Sequence, residues 1–147
     1  MTVKKKALNR FLGLVIGLFV LMNIVAFFHA YRFTHFSEQG IEKTRNPREL
    51  GLATKIKVLL LGIDNPKPAN NEQPKRPFET VHLQSSKRIE CWHIKVDSSK
   101  GTVIIFHGFS GNKARMLDKS EVFNQLGYST FLVDFIGTGG SEGNETT

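Results

Sequence analysis

The chain of 147 residues has very little cysteine. Cys91 is the only one, so no intramolecular disulfide can form and no CxxC motif is present. The five histidines are spread along the sequence without the close pairing that a zinc site requires. These absences exclude a domain stapled by internal disulfides or by a structural zinc ion. We predict neither a metal ion nor any other cofactor.

The sequence also lacks a basic helix face and a basic patch interleaved with aromatic residues, although its formal net charge is +7 and its pI is about 9.7. Outside the N-terminus, basic residues stand in scattered pairs, such as Lys75 with Arg76 and Lys87 with Arg88. Nucleic-acid binding requires positive charge concentrated on one surface. No nucleic-acid partner is therefore predicted.

One long apolar run is present, from Phe11 to Phe28, in which Asn23 is the only polar side chain. Its roughly 18 residues are near the lower limit for crossing a hydrocarbon core of about 30 Å. We predict a transmembrane anchor over residues 11–31, with membrane lipid as its partner. A cleaved signal peptide is the alternative, but cleavage after Ala30 would place bulky Phe28 where the peptidase requires a small residue.

Positive charge predicts the orientation of this anchor. Four basic residues directly precede the apolar run: Lys4, Lys5, Lys6 and Arg10. Only Arg32 follows it closely. Because positively charged flanks stay on the cytosolic side, residues 1–10 are predicted to be a cytosolic N-terminus of a single-pass protein. The main domain is then extracytoplasmic, on the periplasmic or outer face of the membrane.

Residues 32–77 are predicted to join the anchor to the main domain. Residues 29–48 are mixed and polar, which indicates a juxtamembrane stalk. From residue 49 to 63, apolar residues recur at a spacing of three and four, which predicts a short helix that ends at Gly62. Such a helix would lie on the membrane or on the main domain. Residues 65–77 hold four of the five prolines and are predicted to be an extended linker or lid-like loop.

From residue 78 onward the hydrophobic pattern changes to that of strands. Two alternating runs, joined by the polar turn Ser85–Arg88, predict an antiparallel pair. Two later runs, Thr102–Phe106 and Tyr128–Phe135, are rich in apolar, β-branched and aromatic residues. Such runs are typical of strands that are buried on both faces in a central parallel sheet.

The segment between these two runs, Lys113–Leu126, is predicted to be a helix with Met116, Phe123 and Leu126 on one face and the small Ser120 between them. A strand, a helix and a strand joined by short connections form a parallel βαβ unit. The predicted fold class of residues 78–147 is therefore α/β, an antiparallel hairpin followed by a parallel βαβ unit, preceded by one transmembrane helix.

Each of the two parallel strands runs into a distinctive loop. The first loop is His107–Asn112 and the second is Asp134–Gly143. Ligands of open α/β sheets bind at the carboxyl ends of the strands. The segments VIIFHGF, LGY and DFIGTGGSEG follow one another in this order in the chain. In this ordered combination the chain resembles the α/β-hydrolase superfamily. It is most similar to the membrane-anchored bacterial esterase and serine aminopeptidase-like members. The resemblance covers roughly Leu59 to Thr147.

The resemblance implies that residues 78–147 are the N-terminal part of an α/β-hydrolase sheet, a truncated domain. A full-length parent would hydrolyse an ester, amide or peptide bond in a small-molecule ester or peptide substrate. In this superfamily the residue after His-Gly donates its backbone N–H to the oxyanion hole, so Phe109 is the candidate catalytic donor. Gly108 is expected to allow close approach of the backbone. The supporting loop residues are His107, Gly108, Asp134, Gly137, Gly139 and Ser141.

The second loop departs from the family pattern at two positions. Ile136 stands where the family usually has Arg, and Thr138 stands where it often has His. An arginine would supply fixed donors that hold loops together. Because Ile136 cannot do so, the second loop is expected to be less restrained.

The only G-x-S-x-G match is Gly139–Gly143, which lies inside the second loop of the family pattern, and Gly108–Asn112 fails the motif because Asn112 stands at the final glycine position. In this superfamily the nucleophile, the acid and the histidine follow the second loop. The leading interpretation is an N-terminal fragment of a membrane-anchored serine hydrolase that contains none of the triad and is inactive alone. The alternatives are a non-catalytic membrane-anchored interaction protein with a half domain, and a split enzyme whose second half is a separate chain.

Overall fold

The structure, a computed structural model, describes residues 2–37, 46 and 48–145. The chain divides into two compact units. The first consists of Met1–Phe33 with Thr44–Ile63, and the second consists of Thr34–Lys43 with Asp64–Thr147. Much of the predicted juxtamembrane stalk, namely residues 38–45 and 47, lies outside the described residues.

The apolar run forms one long helix, α1, over Thr2–Thr34. The helix also includes the basic N-terminus, because lysine, alanine and leucine are good helix formers. The side-chain amide of Asn23 donates to the carbonyl of Phe19 at 2.8 Å, which satisfies this polar group within the helix itself. By length and composition, Lys4–Thr34 is able to cross a membrane, and its most apolar stretch is not buried in the structure.

The second predicted helix forms as α2, over Leu52–Leu61. It begins after Gly51, whose extended conformation leaves the preceding residues outside the helix. It ends at Gly62, as predicted, because a φ of 84° is readily adopted only by glycine. The Gly62 N–H donates to the carbonyl of Val58 at 2.8 Å and closes the last turn.

Residues 64–77, called the strap below, contain no helix and no strand, as the prolines predict. They belong to the same compact unit as the sheet. Near its start the strap pairs with the end of the described N-terminal segment, since Pro66 and Ser37 form an isolated parallel bridge. The strap is thus anchored on the sheet-containing unit.

Four strands form one mixed sheet in the order β1-β2-β4-β3. Their bounds are β1 Glu79–Gln84, β2 Arg88–Ile94, β3 Thr102–Phe106 and β4 Ser129–Val133. Strands β1 and β2 are antiparallel, as are β2 and β4, whereas β3 and β4 are parallel. The predicted hairpin and the predicted parallel pair are both confirmed.

The core lies on one face of this sheet. Trp92, Leu132 and Ile105 are register partners across β2, β4 and β3, and all three are buried. Ala114, from the segment after the first loop, and Ile94 complete the cluster. The hydrophobic side chains therefore meet between the sheet and the helix that connects β3 to β4.

The prediction that β3 is buried on both faces was wrong. Ile105 is buried, but Ile104 and Phe106 on the opposite face are 58% and 56% exposed. The reason is that β3 is an edge strand of the described sheet, with β4 on one side only. Strand β4, which lies between β2 and β3, has the burial that both strands were expected to have.

The connecting helix begins as a 3-10 turn over Lys113–Met116 and continues as α3 over Leu117–Gln125. On the face predicted to carry Met116, Phe123 and Leu126, the last two are 36% and 55% exposed, whereas Ser120 between them is buried. Its apolar spacing alone did not determine which side of the helix faces the sheet.

The buried side of α3 instead carries two polar residues, Ser120 and Asn124. The hydroxyl oxygens of Ser120 and Thr130 on β4 are 2.6 Å apart, and the Asn124 amide donates to the Thr130 hydroxyl at 3.2 Å. Thr130 is fully buried, so its hydroxyl requires partners. This requirement explains why the polar side of α3 faces inward.

Candidate active-site loops

The two loops lie at the same edge of the sheet. The first loop follows β3, which ends at Phe106, and the second loop follows β4, which ends at Val133. Because β3 and β4 are adjacent and parallel, their carboxyl ends point the same way. This edge is where α/β sheets bind their ligands.

The first loop contains a tight turn with Phe109 at its tip. The Gly111 N–H donates to the Gly108 carbonyl at 3.0 Å, so Phe109 and Ser110 are the two central residues of the turn. Ser110 has a φ of 51°, which is uncommon for a residue other than glycine. Its hydroxyl donates to the side-chain oxygen of Asn65 in the strap at 2.9 Å, and this buried bond helps to hold the turn.

The close approach predicted at Gly108 occurs instead at Gly111. A Cβ added at Gly108 would meet nothing within 4 Å, whereas one at Gly111 would lie 2.9 Å from the Gly108 carbonyl oxygen. Gly108 therefore faces open space where a side chain would stand. The next residue, Phe109, carries the N–H predicted to be the oxyanion donor, and its side chain is exposed.

His107 connects the two loops. It is buried, its Nδ1 lies 2.8 Å from the Gly108 carbonyl oxygen, and the Phe135 N–H donates to its Nε2 at 3.2 Å. A carbonyl oxygen only accepts, so Nδ1 carries the proton and Nε2 is an acceptor. The ring of His107 also contacts the ring of Phe135 edge to face, with centroids 4.9 Å apart. The structure thus places His107 where it positions both loops.

Thr138 provides a second connection at the same point. Its hydroxyl oxygen is 3.0 Å from His107 Nε2 and donates to the Phe135 carbonyl at 2.8 Å. Because Nε2 has no proton to donate and the hydroxyl has only one, Thr138 contacts His107 of the first loop while its proton goes to the Phe135 carbonyl.

The donors that Ile136 cannot supply come from the strap. The ammonium group of Lys67 donates to the carbonyls of Ser141 and Gly143 at 2.7 and 3.1 Å. Burial lowers the pKa of Lys67, and the negative charge of Asp134 acts in the opposite direction. The expectation of a less restrained second loop was based on Ile136 alone, and the strap provides the missing hydrogen bonds.

Asp134 begins the second loop and is fully buried. Its carboxylate accepts from the Lys113 N–H at 2.7 Å, from the Asn70 amide at 2.8 Å and from the Gly140 N–H at 3.0 Å. The loop folds so tightly over this carboxylate that a Cβ at Gly139 would lie 1.9 Å from its oxygen. These bonds join the start of the second loop to Lys113, directly after the first loop, and to the strap.

Gly137 and Ser141 close the second loop. Gly137 has a φ of 77°, and its N–H donates to the Glu142 carbonyl at 2.8 Å. Ser141 is buried, its hydroxyl donates to the Asp134 carbonyl at 2.9 Å, and the Glu90 N–H donates to that hydroxyl at 2.8 Å. Ser141 thus ties the loop to β2 through hydrogen bonds.

Lys113 was not recognised in the sequence, yet its side chain is fully buried. Its ammonium group forms ion pairs with Asp134 and with Glu90, the latter at 2.7 Å. It also lies 4.4 Å from the centre of the Trp92 ring. A lysine is almost never fully buried unless it is paired. In the sequence, Lys113 is a lysine at the start of a predicted helix, and that position does not indicate the ion pairs that it forms.

The charged cluster around Lys113 also affects the single cysteine. Burial raises the pKa of Cys91 to about 11; the nearby Lys113 opposes this shift, whereas Asp134 and Glu90 add to it. A thiol with such a raised pKa is a poor nucleophile. Cys91 is therefore a structural residue of β2.

The loops contain no activated serine in the described geometry. The Ser110 hydroxyl donates to Asn65, and the Ser141 hydroxyl donates to a backbone carbonyl. A serine becomes a nucleophile when an adjacent base accepts its proton. Within the described residues, no three His, Cys, Asp or Glu side chains are grouped so that they could hold a metal ion. The chemistry that the loops can provide is anion stabilisation by backbone N–H groups.

At this edge of the mixed sheet, one parallel strand ends in a His-Gly turn and the other ends in a glycine-rich loop. Solved structures with partial similarity to this chain include esterases and other hydrolases. No family model matches the sequence, and no curated protein matches it.

Three of these structures show the extent of the similarity. An esterase of Pyrococcus furiosus, Pf2001, is 27% identical, with 56% of this chain and 34% of that chain covered and a TM-score of 0.46. DcsB, solved with a substrate analogue, is 26% identical, with 46% and 24% covered and a TM-score of 0.42. A CIB-like hydrolase of Thermoplasma acidophilum is 25% identical, with 47% and 35% covered and a TM-score of 0.37. The matched part spans about a quarter to a third of each of those proteins.

Proposed function

We propose that this chain is the N-terminal part of a membrane-anchored serine hydrolase that cleaves an ester, amide or peptide bond. The observation that carries the proposal is the pair of loops at the carboxyl ends of β3 and β4, fastened to each other through His107. In the complete enzyme these loops form one half of the active site. The other half supplies the nucleophile, the acid and the catalytic histidine.

The first loop contributes electrostatic catalysis. Attack on a carbonyl places negative charge on its oxygen, and a fixed backbone N–H stabilises that charge more than it stabilises the neutral substrate. The Phe109 N–H is the proposed donor, because Phe109 follows His-Gly and lies exposed at the tip of a turn. The second donor in this superfamily is the residue after the nucleophile.

The second loop acts as the support of the first. Asp134, Gly139 and Ser141 fix the second loop. His107 is hydrogen-bonded to that loop and so holds the turn with Phe109 in place. A displaced donor is far less effective, because an oxyanion hole requires donors about 2.7–3.1 Å from the developing charge.

The membrane anchor in this proposal is α1. Its length and apolar composition fit a span, and the lysines that precede the apolar run favour a cytosolic N-terminus. The hydrolase part is then extracytoplasmic. The one G-x-S-x-G sequence, Gly139–Gly143, places Ser141 in the second loop, where its buried hydroxyl donates to the Asp134 carbonyl and not to a base. By themselves the 147 residues therefore have no hydrolytic activity in this proposal.

A fluorophosphonate probe, which labels activated serines, tests the proposal. An antibody raised against residues 78–145 is used to capture the native protein from membranes, and the purified 147-residue chain is labelled in parallel. We expect the captured native protein to be labelled and the purified chain to remain unlabelled. Preincubation with an unlabelled fluorophosphonate is the control and should abolish the signal.

Two outcomes contradict the proposal. Labelling or turnover by the purified 147-residue chain would show that a nucleophile is present in it. Absence of label on the native protein, whatever its size, would favour a non-catalytic membrane-anchored interaction protein. Label that appears only when a separate native chain is added would identify a split enzyme.

A further inference from the structure

The short helix α2 has an apolar side that no described residue covers. Leu52 and Leu59 are 77% and 70% exposed, and α2 contains no buried residue. The exposed apolar side chains lie on one side of the helix: Leu52, Ile56, Leu59 and Leu60. A helix that presents leucine and isoleucine in this way requires an apolar environment on that side.

The last turn of α2 is fastened to α1 at a defined level. His29 donates through Nε2 to the Leu59 carbonyl at 2.9 Å, which satisfies one of the carbonyl groups left unpaired at a helix end. Beside it, a Cβ at Gly62 would lie 3.4 Å from the His29 backbone and 3.5 Å from the Arg32 side chain. The end of α2 is thus held against α1 at His29 and Arg32.

That level is where the apolar run of α1 ends. His29 follows directly after Phe28, the last residue of the run, and Arg32 is the next charged residue. Polar and basic residues at the end of a span are typical of the boundary between hydrocarbon and headgroups. The fastened end of α2 therefore lies at this boundary.

The charge of α2 fits the same location. Its charged residues are Lys55 and Lys57, both exposed, and it has no acidic residue. Lysine side chains next to an apolar face extend toward headgroups while their methylene groups stay in apolar surroundings. Basic residues near an apolar helix face also favour anionic lipids.

We propose that the exposed apolar side of α2 lies in the lipid of the membrane surface, at the level where α1 leaves the bilayer. Tethering by α1 makes this possible for a helix of only 10 residues, which is marginal as an isolated helix and as an independent membrane ligand. The inference rests on the proposed function only in taking α1 as the membrane anchor. It gives α2 a role as a second, interfacial contact with the bilayer.

Site-directed fluorescence in the full chain tests this inference. Single cysteines are introduced at Leu59 on the apolar side, at Thr54 on the other side of α2, and at Leu18 within α1, and each is labelled with the NBD fluorophore. The wild-type chain serves as the labelling blank, because Cys91 is fully buried. The proteins are reconstituted into vesicles of phosphatidylcholine and phosphatidylglycerol, with quenchers in water, near the headgroups or deep in the bilayer.

We expect the label in Leu59→Cys to be quenched by the headgroup-level quencher at least about twice as strongly as that in Thr54→Cys, and to be shielded from aqueous iodide. Quenching of Leu59→Cys by iodide but not by lipid would overturn the inference. Shielding from both quenchers would also overturn it and would indicate a protein cover, either a second copy or another part of this chain. Leu18→Cys should be quenched deep in the bilayer, and its failure to be quenched there would instead remove the anchor.

Discussion

Strands β3 and β4 are neighbours with similar apolar sequences, yet their surroundings differ. Strand β4 is buried along most of its length and lies between β2 and β3. Strand β3 leaves Ile104 and Phe106 more than half exposed. The loop after β4 is fixed by the buried charge of Asp134 and by Lys67 of the strap, whereas the loop after β3 is held to the strap by neutral hydrogen bonds and exposes Phe109 at its tip.

The difference teaches that the two loops are held in different ways. The second loop folds around the buried carboxylate of Asp134, which accepts hydrogen bonds from three separate donors. The first loop carries exposed Phe109, the donor in the proposed function. Mutations around β4 should therefore cost stability, and a change in the first loop should cost function in the complete enzyme.

The largest stability effect is expected from Lys113→Met. The substitution keeps the volume of the side chain but leaves the fully buried carboxylate of Asp134 without its ion-pair partner. Breaking a buried pair in this way costs about 3–5 kcal/mol of unfolding free energy. Denaturation of the full chain in detergent micelles, followed by circular dichroism, measures the change.

Lys119→Met is the matched control, since Lys119 is an exposed lysine of α3. It should change the unfolding free energy by no more than about 0.5 kcal/mol. Equal effects of the two substitutions would show that Lys113 does not hold the second loop.

The contrast between the two faces of β3 provides the next prediction. Ile105→Ala removes a core side chain that packs with Leu132 and Trp92, and it should cost about 2–4 kcal/mol. Ile104→Ala changes a side chain that is 58% exposed and should cost less than about 1 kcal/mol. The same denaturation assay compares them, and a reversed order would contradict the burial of β3 described here.

A smaller loss is expected from Ser141→Ala. The buried Glu90 N–H would lose its acceptor and the Asp134 carbonyl would lose a donor. An unsatisfied buried group of this kind costs about 1–3 kcal/mol. Ser86→Ala, in the exposed turn between β1 and β2, is the control and should be neutral in the same unfolding measurement.

The smallest effect concerns the end of the strap, where Arg76 donates to both oxygens of Glu121 on α3 at 2.8 and 2.9 Å. Mainly these hydrogen bonds lower the pKa of Glu121 to about 2. Since the pKa in the folded state is depressed, the contribution is present above the ordinary pKa of 4.5 and is lost as the pH falls toward 2.

Thermal unfolding of the wild type and of Glu121→Gln over this pH range tests the Glu121 contribution. The wild type should be slightly more stable at neutral pH, and the difference should disappear at low pH and shrink in high salt, because both partners are exposed. A difference that is independent of pH would show that the ion pair does not stabilise the strap.

Much of the fold follows from local sequence patterns. Four strands are predicted by the alternation around β1 and β2 and by the apolar runs of β3 and β4. Gly62 marks the end of α2, because a residue with positive φ ends a helix. The two loops are recognisable because their glycines and polar residues stand directly after parallel strands. These features depend on residues that are close in sequence.

The rest depends on residues that are distant in sequence. The edge position of β3 is decided by strand order, and the inward face of α3 is decided by the buried hydroxyl of Thr130. The pairing of Lys113 with Asp134 and the bond between Lys67 and Ser141 join positions that no short pattern connects. Composition could not reveal that a lysine is buried or that a proline-rich segment fastens a loop.

The central claim is that the Phe109 backbone N–H stabilises an oxyanion, and the substitution Phe109→Pro in the native protein tests it most directly. Phe109 is the second residue of the Gly108–Gly111 turn, a position that accepts proline, so the change removes the N–H while keeping the turn. We predict that fluorophosphonate labelling slows by about 10²–10³-fold, whereas Phe109→Leu, which keeps the N–H, labels nearly as fast as the wild type. Equal labelling rates for Phe109→Pro and the wild type would contradict the account.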